Sequence, residues 1–383
     1  MQVMKIVYII TDLSIGGAQM MLYQLLSRMS RERFTPVVVS LMDNGTVGDR
    51  IQALGIPVYT IGMNAGTPAL SAMKQLIRLV RQLNPDIVQG WMYHANLAAQ
   101  VASIFCEQKM PIVWCIQCSI YSLAFEKKLT AVIIRLCAYL SKLDTNVVHV
   151  SKISKIQHEA LGYSKSNSCV IPNGVDTLLF TPSVEARVTV RAELGLPEQA
   201  CLIGLMARYH AMKDQANFLK AAALVLKEHP DVHFILAGQG IDRQNQALYD
   251  LIQELGIYEQ IDLLGERTDM PRLTAALDIA SLSSSYGEGF PLAVGEAMSC
   301  GVPCVVTDIG DSAWMVDKTG RIVPPQNPEA LANAWKELIN LGAEGRFALG
   351  QAARNRAIAH FSLDSVVAQY EALYESVLAR KLT

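Results

Sequence analysis

Nowhere do the 383 residues of this chain run about 20 apolar positions together, the length a helix needs to cross a hydrocarbon core. No bilayer-spanning helix is therefore expected. The opening MQVMKIVYIITDLS lacks the marks of a secretory leader: its apolar run is short, Asp12 follows at once, and there is no small-residue cleavage pattern. Charge is scarce, at 18% against 51% hydrophobic residues, which excludes a disordered chain and implies well-buried strands. The one Cys-x-x-C pair, Cys115 and Cys118, has no second pair of that spacing with which to hold zinc. Cys115 also closes an apolar run instead of opening a helix, as a redox motif would. The eight cysteines read as free thiols, mostly buried in runs such as CLIGLMA and VPCVV. No Gly-x-Gly-x-x-Gly is present, which removes the nicotinamide-dinucleotide fingerprint. No Asp-x-Asp is present to hold a divalent ion. The expectation is a cytoplasmic protein with no metal, no cofactor and no nucleic-acid partner.

What is present is alternation. MKIVYII, TPVVVSL, IPVYTI, DIVQGW, PIVWCI and NVVHVS form one series of β-rich runs, with helix-length segments between most of them. CLIGLMA, VHFILAG, QIDLLG, DIASLSS and VPCVVTD form a second. Strands alternating with helices argue for parallel doubly wound sheets, so the expected class is α/β, with two tandem Rossmann-like domains. Pro172, Asn173, Gly174 and Pro182 mark a linker in VIPNGVDTLLFTPSVEAR. The domains are accordingly read as 1–178 and 179–360, with 361–383 a final helix. The net charge of −2 hides an asymmetry: residues 1–178 hold 16 Lys+Arg against 10 Asp+Glu, and 179–383 hold 17 against 25. A basic front half can attract an anionic acceptor or a membrane surface. EKKLTAVIIRLCAYLSKL, Glu126 to Leu143, reads either as an interfacial basic helix or as a core helix with solvated ends.

In open α/β sheets ligands bind beyond the carboxyl ends of the strands. After the first strand stand Gly16 and Gly17, which let backbone amides approach a phosphate or sugar. After DIVQGW comes His94, at the start of a helix. After CLIGLMA come Arg208 and Lys213, a guanidinium fork and an ammonium point charge suited to a diphosphate. Arg267 lies in a polar loop after QIDLLG, where a base or ribose could sit. After DIASLSS comes YGEGFPLAVGEAMSCG. Gly287 and Gly289 flank Glu288, Phe290 and Pro291 lead into an apolar helix, and the amides of Leu292 and Ala293 open it with the positive end of its dipole. Glu296 is an acid on an otherwise apolar helix and needs hydroxyl or cationic partners. The spacing of Glu288 and Glu296 carries no weight, because Glu185/Glu193 and Glu329/Glu337 repeat it.

GGAQ, YHANL, IPNGVD, ARYHAMKD, LAGQG, LGERTD, GEGFPLAVGEAM and GVPCVVTDIGDSAWMV occur in that order over nearly the whole chain. Together they resemble family four of the retaining glycosyltransferases, with the GT-B fold of two Rossmann-like domains and a cleft between them. The resemblance implies transfer of a sugar from a nucleotide diphosphate sugar, expected to be a UDP-sugar, with retention of anomeric configuration. The implied acceptor is a glycan or lipid-linked glycan, as in bacterial surface polysaccharide assembly. It gives Arg208 and Lys213 the diphosphate, Glu288 the donor sugar, Glu296 the ribose, and Gly16 and Gly17 the loop over the donor. It places the last helix back on the first domain, and the protein in the cytoplasm or peripherally at the inner face of the membrane. His94 falls in a motif shared by part of the family. Where some members have a catalytic histidine after the PIVWCI strand, this chain has Gln117. A nucleotide-sugar epimerase on the same fold and a non-catalytic nucleotide-sugar sensor remain as alternatives.

Overall fold

The structure, a computed structural model, describes residues 3–63, 69–106, 110–120, 122–123, 127–143 and 145–382. Glu126, which opens the basic stretch above, lies outside them. Among the described residues, seven parallel strands form the first sheet: β1 (Met4–Ile10), β2 (Phe34–Ser40), β3 (Val58–Thr60), β4 (Ile87–Trp91), β5 (Ile112–Ile116), β6 (Thr145–His149) and β7 (Ser168–Val170), in the order β3-β2-β1-β4-β5-β6-β7. The alternation of a strand sorts its side chains to two faces. Ile6, Tyr8 and Ile10 enter one buried cluster, while Val7 and Ile9 enter the cluster on the opposite face. With helices on both faces, nearly every β1 side chain is buried, which is why the strand reads as a continuous apolar run.

The last helix, Leu363–Leu382, belongs to this unit. Val366, Val367, Tyr370, Tyr374 and Val377 join the Ile6/Tyr8 cluster. Tyr8 donates a 3.0 Å hydrogen bond to the Tyr374 hydroxyl, which in turn donates to Gln89 Oε1 at 2.6 Å. Arg33 pairs with Glu371 at 2.8 Å and also with Glu375. Replacing Tyr374 with Phe leaves Tyr8 only the weak Met29 Sδ acceptor at 3.7 Å and strips Gln89 of its donor inside the core. The expected loss is about 1–3 kcal/mol, read as a lower midpoint in urea unfolding.

Six parallel strands form the second sheet: β8 (Leu202–Met206), β9 (His233–Ala237), β10 (Ile261–Leu263), β11 (Ile279–Leu282), β12 (Cys304–Thr307) and β13 (Gly320–Val323), in the order β10-β9-β8-β11-β12-β13. Phe218, Phe234 and Trp335 meet edge to face or tilted in its core, with centroids 5.0 to 5.9 Å apart. The strands β7 and β13 were absent from the sequence reading.

The units divide after Gly174 and after Ser362, and not at 178 and 360. The reason is local. Val175 forms a parallel bridge with Ser362, and its N–H donates to Phe361 O at 2.8 Å, so the second unit's two ends are tied side by side. The expected linker is also shorter than its composition implies. Ser183 caps a helix, Val184–Glu193, by accepting from the Ala186 N–H, and the buried Arg191 fixes that helix through Asp278 at 2.6 Å.

Candidate active site

In both sheets the strand order reverses beside the first strand of the series: between β1 and β4, and between β8 and β11. At such a switch point the two following loops diverge to opposite faces and leave a crevice. In the second unit the loops after β8 and β11 carry Lys213 and Glu288. They are laced together below the side chains: Ser285 N donates to Met212 O at 2.8 Å, and Ser283 Oγ to Lys213 O at 2.8 Å. On this base Lys213 Nζ meets Glu288 Oε1 at 2.6 Å, and Ser284 Oγ donates to the same oxygen at 2.5 Å. Glu288 is buried, with 7% of its side chain exposed, against 17% for Lys213. A buried carboxylate is tolerable only with such partners.

Two glycines permit this arrangement. Gly287 has φ +76°, and a Cβ on it would lie 2.7 Å from Met212 Sδ. Gly310 has φ +63°, and its Cβ would lie 2.6 Å from Glu288 O. The second contact lets the loop after β12 press against the glutamate's own backbone, where Asp311 N also donates to Gly289 O at 2.9 Å. Below them, Thr307 Oγ1 holds Ser284 O at 2.7 Å. Asp214, left-handed at φ 49°, turns the chain out of the Lys213 loop and caps the helix Gln215–Leu226.

The helix that follows Glu288 runs Leu292–Ser299. Pro291 is its N-cap, and no side chain caps the end. The leading amides of Leu292 and Ala293 thus keep the anion-binding character of an open helix start. The Phe290 ring is buried edge-to-face on Phe361 with centroids 5.5 Å apart. Glu296 is half-buried and its carboxylate has no hydrogen bond or ion pair among the described residues; burial pushes it up to about 7. Arg208 is exposed, with its guanidinium unengaged among the described residues and its carbonyl held by Gln215 Nε2 at 2.9 Å.

Arg267 is placed differently. Its Nε and Nη2 grip Asp269 at 2.8 and 2.9 Å, and its Nη1 holds Glu193 at 2.8 Å; Arg272 closes the square on the same two acids. These bonds raise the Arg267 pKa and hold Asp269 well below the usual carboxylate range. Arg267 follows β10, three strands from β11, which is roughly 14 Å at sheet spacing. None of its hydrogen bonds reaches the Lys213–Glu288 pair.

The first unit's switch point gathers the remaining candidates. Gly16 caps the helix Gly17–Arg28 in extended conformation, again without a side-chain cap, and the space a Cβ would fill on Gly17 is open. Trp91, ending β4, donates its indole N–H to Ala18 O at 2.9 Å and ties this turn to the next strand. His94 is the second residue of the helix Tyr93–Ile104; it is half-buried, and desolvation lowers its pKa. Met92, before that helix, sits at φ +74°, a costly conformation for methionine. Gln117, after β5, donates to Cys115 Sγ at 3.1 Å.

The sequence reading missed Ser283, Ser284, Thr307 and Gly310. The three serines directly after a strand in SLSSSYGEGF were a signal for the first two. Thr307 and Gly310 acquire a role only through the β11–β12 pairing.

Comparison with known proteins bears on the family and the fold. The group 1 glycosyl transferase profile matches residues 187–356, and the Glycosyltransferase Family 4 profile matches 15–178. The chain belongs to the family 4 glycosyltransferases. A relative from Escherichia coli, UDP-Gal:alpha-D-GlcNAc-diphosphoundecaprenol alpha-1,3-galactosyltransferase, is 24% identical over 87% of this glycosyltransferase and 86% of its own length. A D-inositol 3-phosphate glycosyltransferase of Corynebacterium jeikeium is 30% identical, over 63% of this chain and 60% of its own. Among solved structures, Anabaena HepE in complex with UDP superposes with a TM-score of 0.85 at 23% identity, covering 97% of this chain and all (100%) of HepE. WaaG, a glycosyltransferase of lipopolysaccharide biosynthesis, gives 0.69 at 15% identity, covering 96% and 99%. These likenesses identify the fold as GT-B.

Proposed function

We propose that this glycosyltransferase moves a hexose from a UDP-hexose to a lipid-linked glycan with retention of configuration, as a step in surface polysaccharide assembly. The observation that carries the proposal is the Lys213–Glu288 pair, fixed at the second switch point beside an uncapped helix start. Glu288 holds the donor sugar through its hydroxyls. Arg208, Lys213 and the Leu292 and Ala293 amides take the diphosphate, whose negative charge grows as the bond from C1 to the phosphate oxygen breaks. Preorganised donors at a developing charge are usually the largest single contribution to catalysis, and these cations take the place of a metal ion. Glu296, lacking any protein partner among the described residues, accepts from the ribose diol. The acceptor oxygen attacks from the leaving-group side, and its proton passes to the departing phosphate oxygen. His94, kept neutral by burial, hydrogen-bonds a substrate hydroxyl. The E. coli relative, named for a UDP-sugar donor and a polyprenyl diphosphate acceptor, supports the choice of both substrates.

The test starts from UDP-, GDP- and ADP-hexoses screened by thermal unfolding. At a hundred times its Kd, the true donor adds about 2.7 kcal/mol, or roughly 5–10 °C for a unit of this size. The stabilising donor is then incubated with polyprenyl-diphosphate-linked saccharides, and the product's anomeric coupling is read by NMR. An inverted product removes retention, and equal stabilisation by all three nucleotides removes the uridine assignment. Conversion of the donor without acceptor marks an epimerase.

A further inference from the structure

The helix Lys128–Leu140 is two-faced in an unusual way. Ala131, Ile133, Ile134, Cys137 and Ala138 are buried in the first unit's core. The outer face, where solvated residues belong, is also apolar: Leu129 is 68% exposed, Val132 57%, Leu136 43% and Tyr139 70%, with Leu143 just beyond the helix at 52%. At about 100° per residue these five positions fall within an arc of about 80°. They make a continuous stripe, not scattered surface leucines. Directly alongside runs a second stripe, Lys128, Arg135 and Lys142, each one residue before Leu129, Leu136 or Leu143, with Lys127 at its head; all four are exposed. No acid stands between Lys127 and Leu143 among the described residues. The neighbouring helix Tyr93–Ile104 packs against this one and ends on the exposed Ile104 and Phe105.

We propose that this stripe docks the protein on an anionic lipid surface, the apolar row entering the acyl boundary and the cation row meeting the headgroups. An interfacial helix needs this pairing: apolar area for depth and basic residues for the negative surface. No helix among the described residues is long and apolar enough to cross a membrane, so the contact is lateral. The helix begins at the carboxyl edge of the first sheet, the same edge that carries Gly16 and His94. Docking along it holds that edge close to the headgroups. The proposal stands independently of sugar transfer, since it concerns a surface outside the site.

Flotation of the full chain with vesicles of phosphatidylcholine alone, and of phosphatidylcholine with phosphatidylglycerol, tests it without an activity readout. The wild type is expected to float with the anionic vesicles, less so in high salt. Charge reversal at Lys128, Arg135 and Lys142 together should weaken partitioning more than tenfold, on the order expected for three headgroup contacts. The Leu129→Ser, Leu136→Ser, Tyr139→Ser triple variant should weaken it similarly. Unchanged thermal unfolding and UDP-sugar binding in both variants show the fold intact. Partitioning equal on both vesicle types, or unaffected by both variants, overturns the proposal. So does a lipid-free dimer that the serine variant dissolves, which would make a second copy the occupant.

Discussion

Glu288→Ala is expected to lower transfer by about 10²–10³-fold, the cost of removing one preorganised polar contact at a reacting centre, and to leave UDP affinity within about twofold of wild type, since on the proposed reading its partner is the sugar. Lys213→Ala should cause a comparable loss of transfer but also weaken UDP, because the ammonium serves the diphosphate. Survival of the fold follows from the surroundings. Lys213 keeps 17% of its side chain in contact with water, so the ammonium left by Glu288→Ala is not stranded. The backbone of both loops is held by Ser283, Ser285 and Thr307, whose bonds the substitution does not touch. The double variant should be little worse than either single one, because groups that act as a unit are not additive. Turnover and UDP binding are measured together. Near-normal turnover in Glu288→Ala removes the carboxylate from the mechanism, and a matched loss of UDP affinity moves it from the sugar to the diphosphate.

Much of the architecture was legible because parallel sheets are covered on both faces. Runs such as MKIVYII and VHFILAG then have no polar alternation to blur them, and their spacing leaves room only for crossover helices. The strands that escaped, Ser168–Val170 and Gly320–Val323, are short edge strands, and each pairs with only one neighbour. Ser168–Val170 is half-buried throughout and sits before residues whose Pro and Gly content speaks for a linker. Its strand character comes from pairing with β6, which is a tertiary fact.

The site was legible in its charges and not in its couplings. Arg208, Lys213 and Glu288 stand out because ionisable residues just after apolar strands sit where ligands bind. Their partners do not stand out. That Lys213 would close on Glu288 depends on β8 lying beside β11, the two residues being 75 positions apart in sequence. Arg267 illustrates the opposite case: it has the right residue type and a strand-end position, but its strand lies at the far edge of the sheet, and its hydrogen bonds go to Glu193 and Asp269. Phe290 lies within the same signature, yet its ring packs edge-to-face against Phe361.

Glu296→Gln should stabilise the protein while weakening its donor affinity, and the two effects share one cause. Burial without a protein partner raises the carboxyl from the ordinary 4.5 to about 7. Between these values the folded protein keeps a proton that the unfolded chain has released, so this group's contribution to stability falls as pH rises through that window and levels off above it. The full span corresponds to an upper bound of about 3 kcal/mol. The glutamine variant carries no ionisation, so it should match wild type near pH 4.5 and unfold about 1–3 kcal/mol later at pH 8. A ribose diol reverses the balance for the charged form by donating to it, at about 1.5–3 kcal/mol for a hydrogen bond to an ionised group. Wild-type affinity for a UDP-hexose should therefore rise as pH approaches 7 from below and level off above it, whereas the variant's should be flat and at least tenfold weaker at pH 8. The nucleotide sugar is the right probe, because its diphosphate diester has no ionisation in this range to confuse the profile. A variant that gains no stability at pH 8 would show that the carboxylate is well solvated in the free protein. A variant that gains stability and still binds the UDP-hexose normally would show a desolvated acid that no ribose touches.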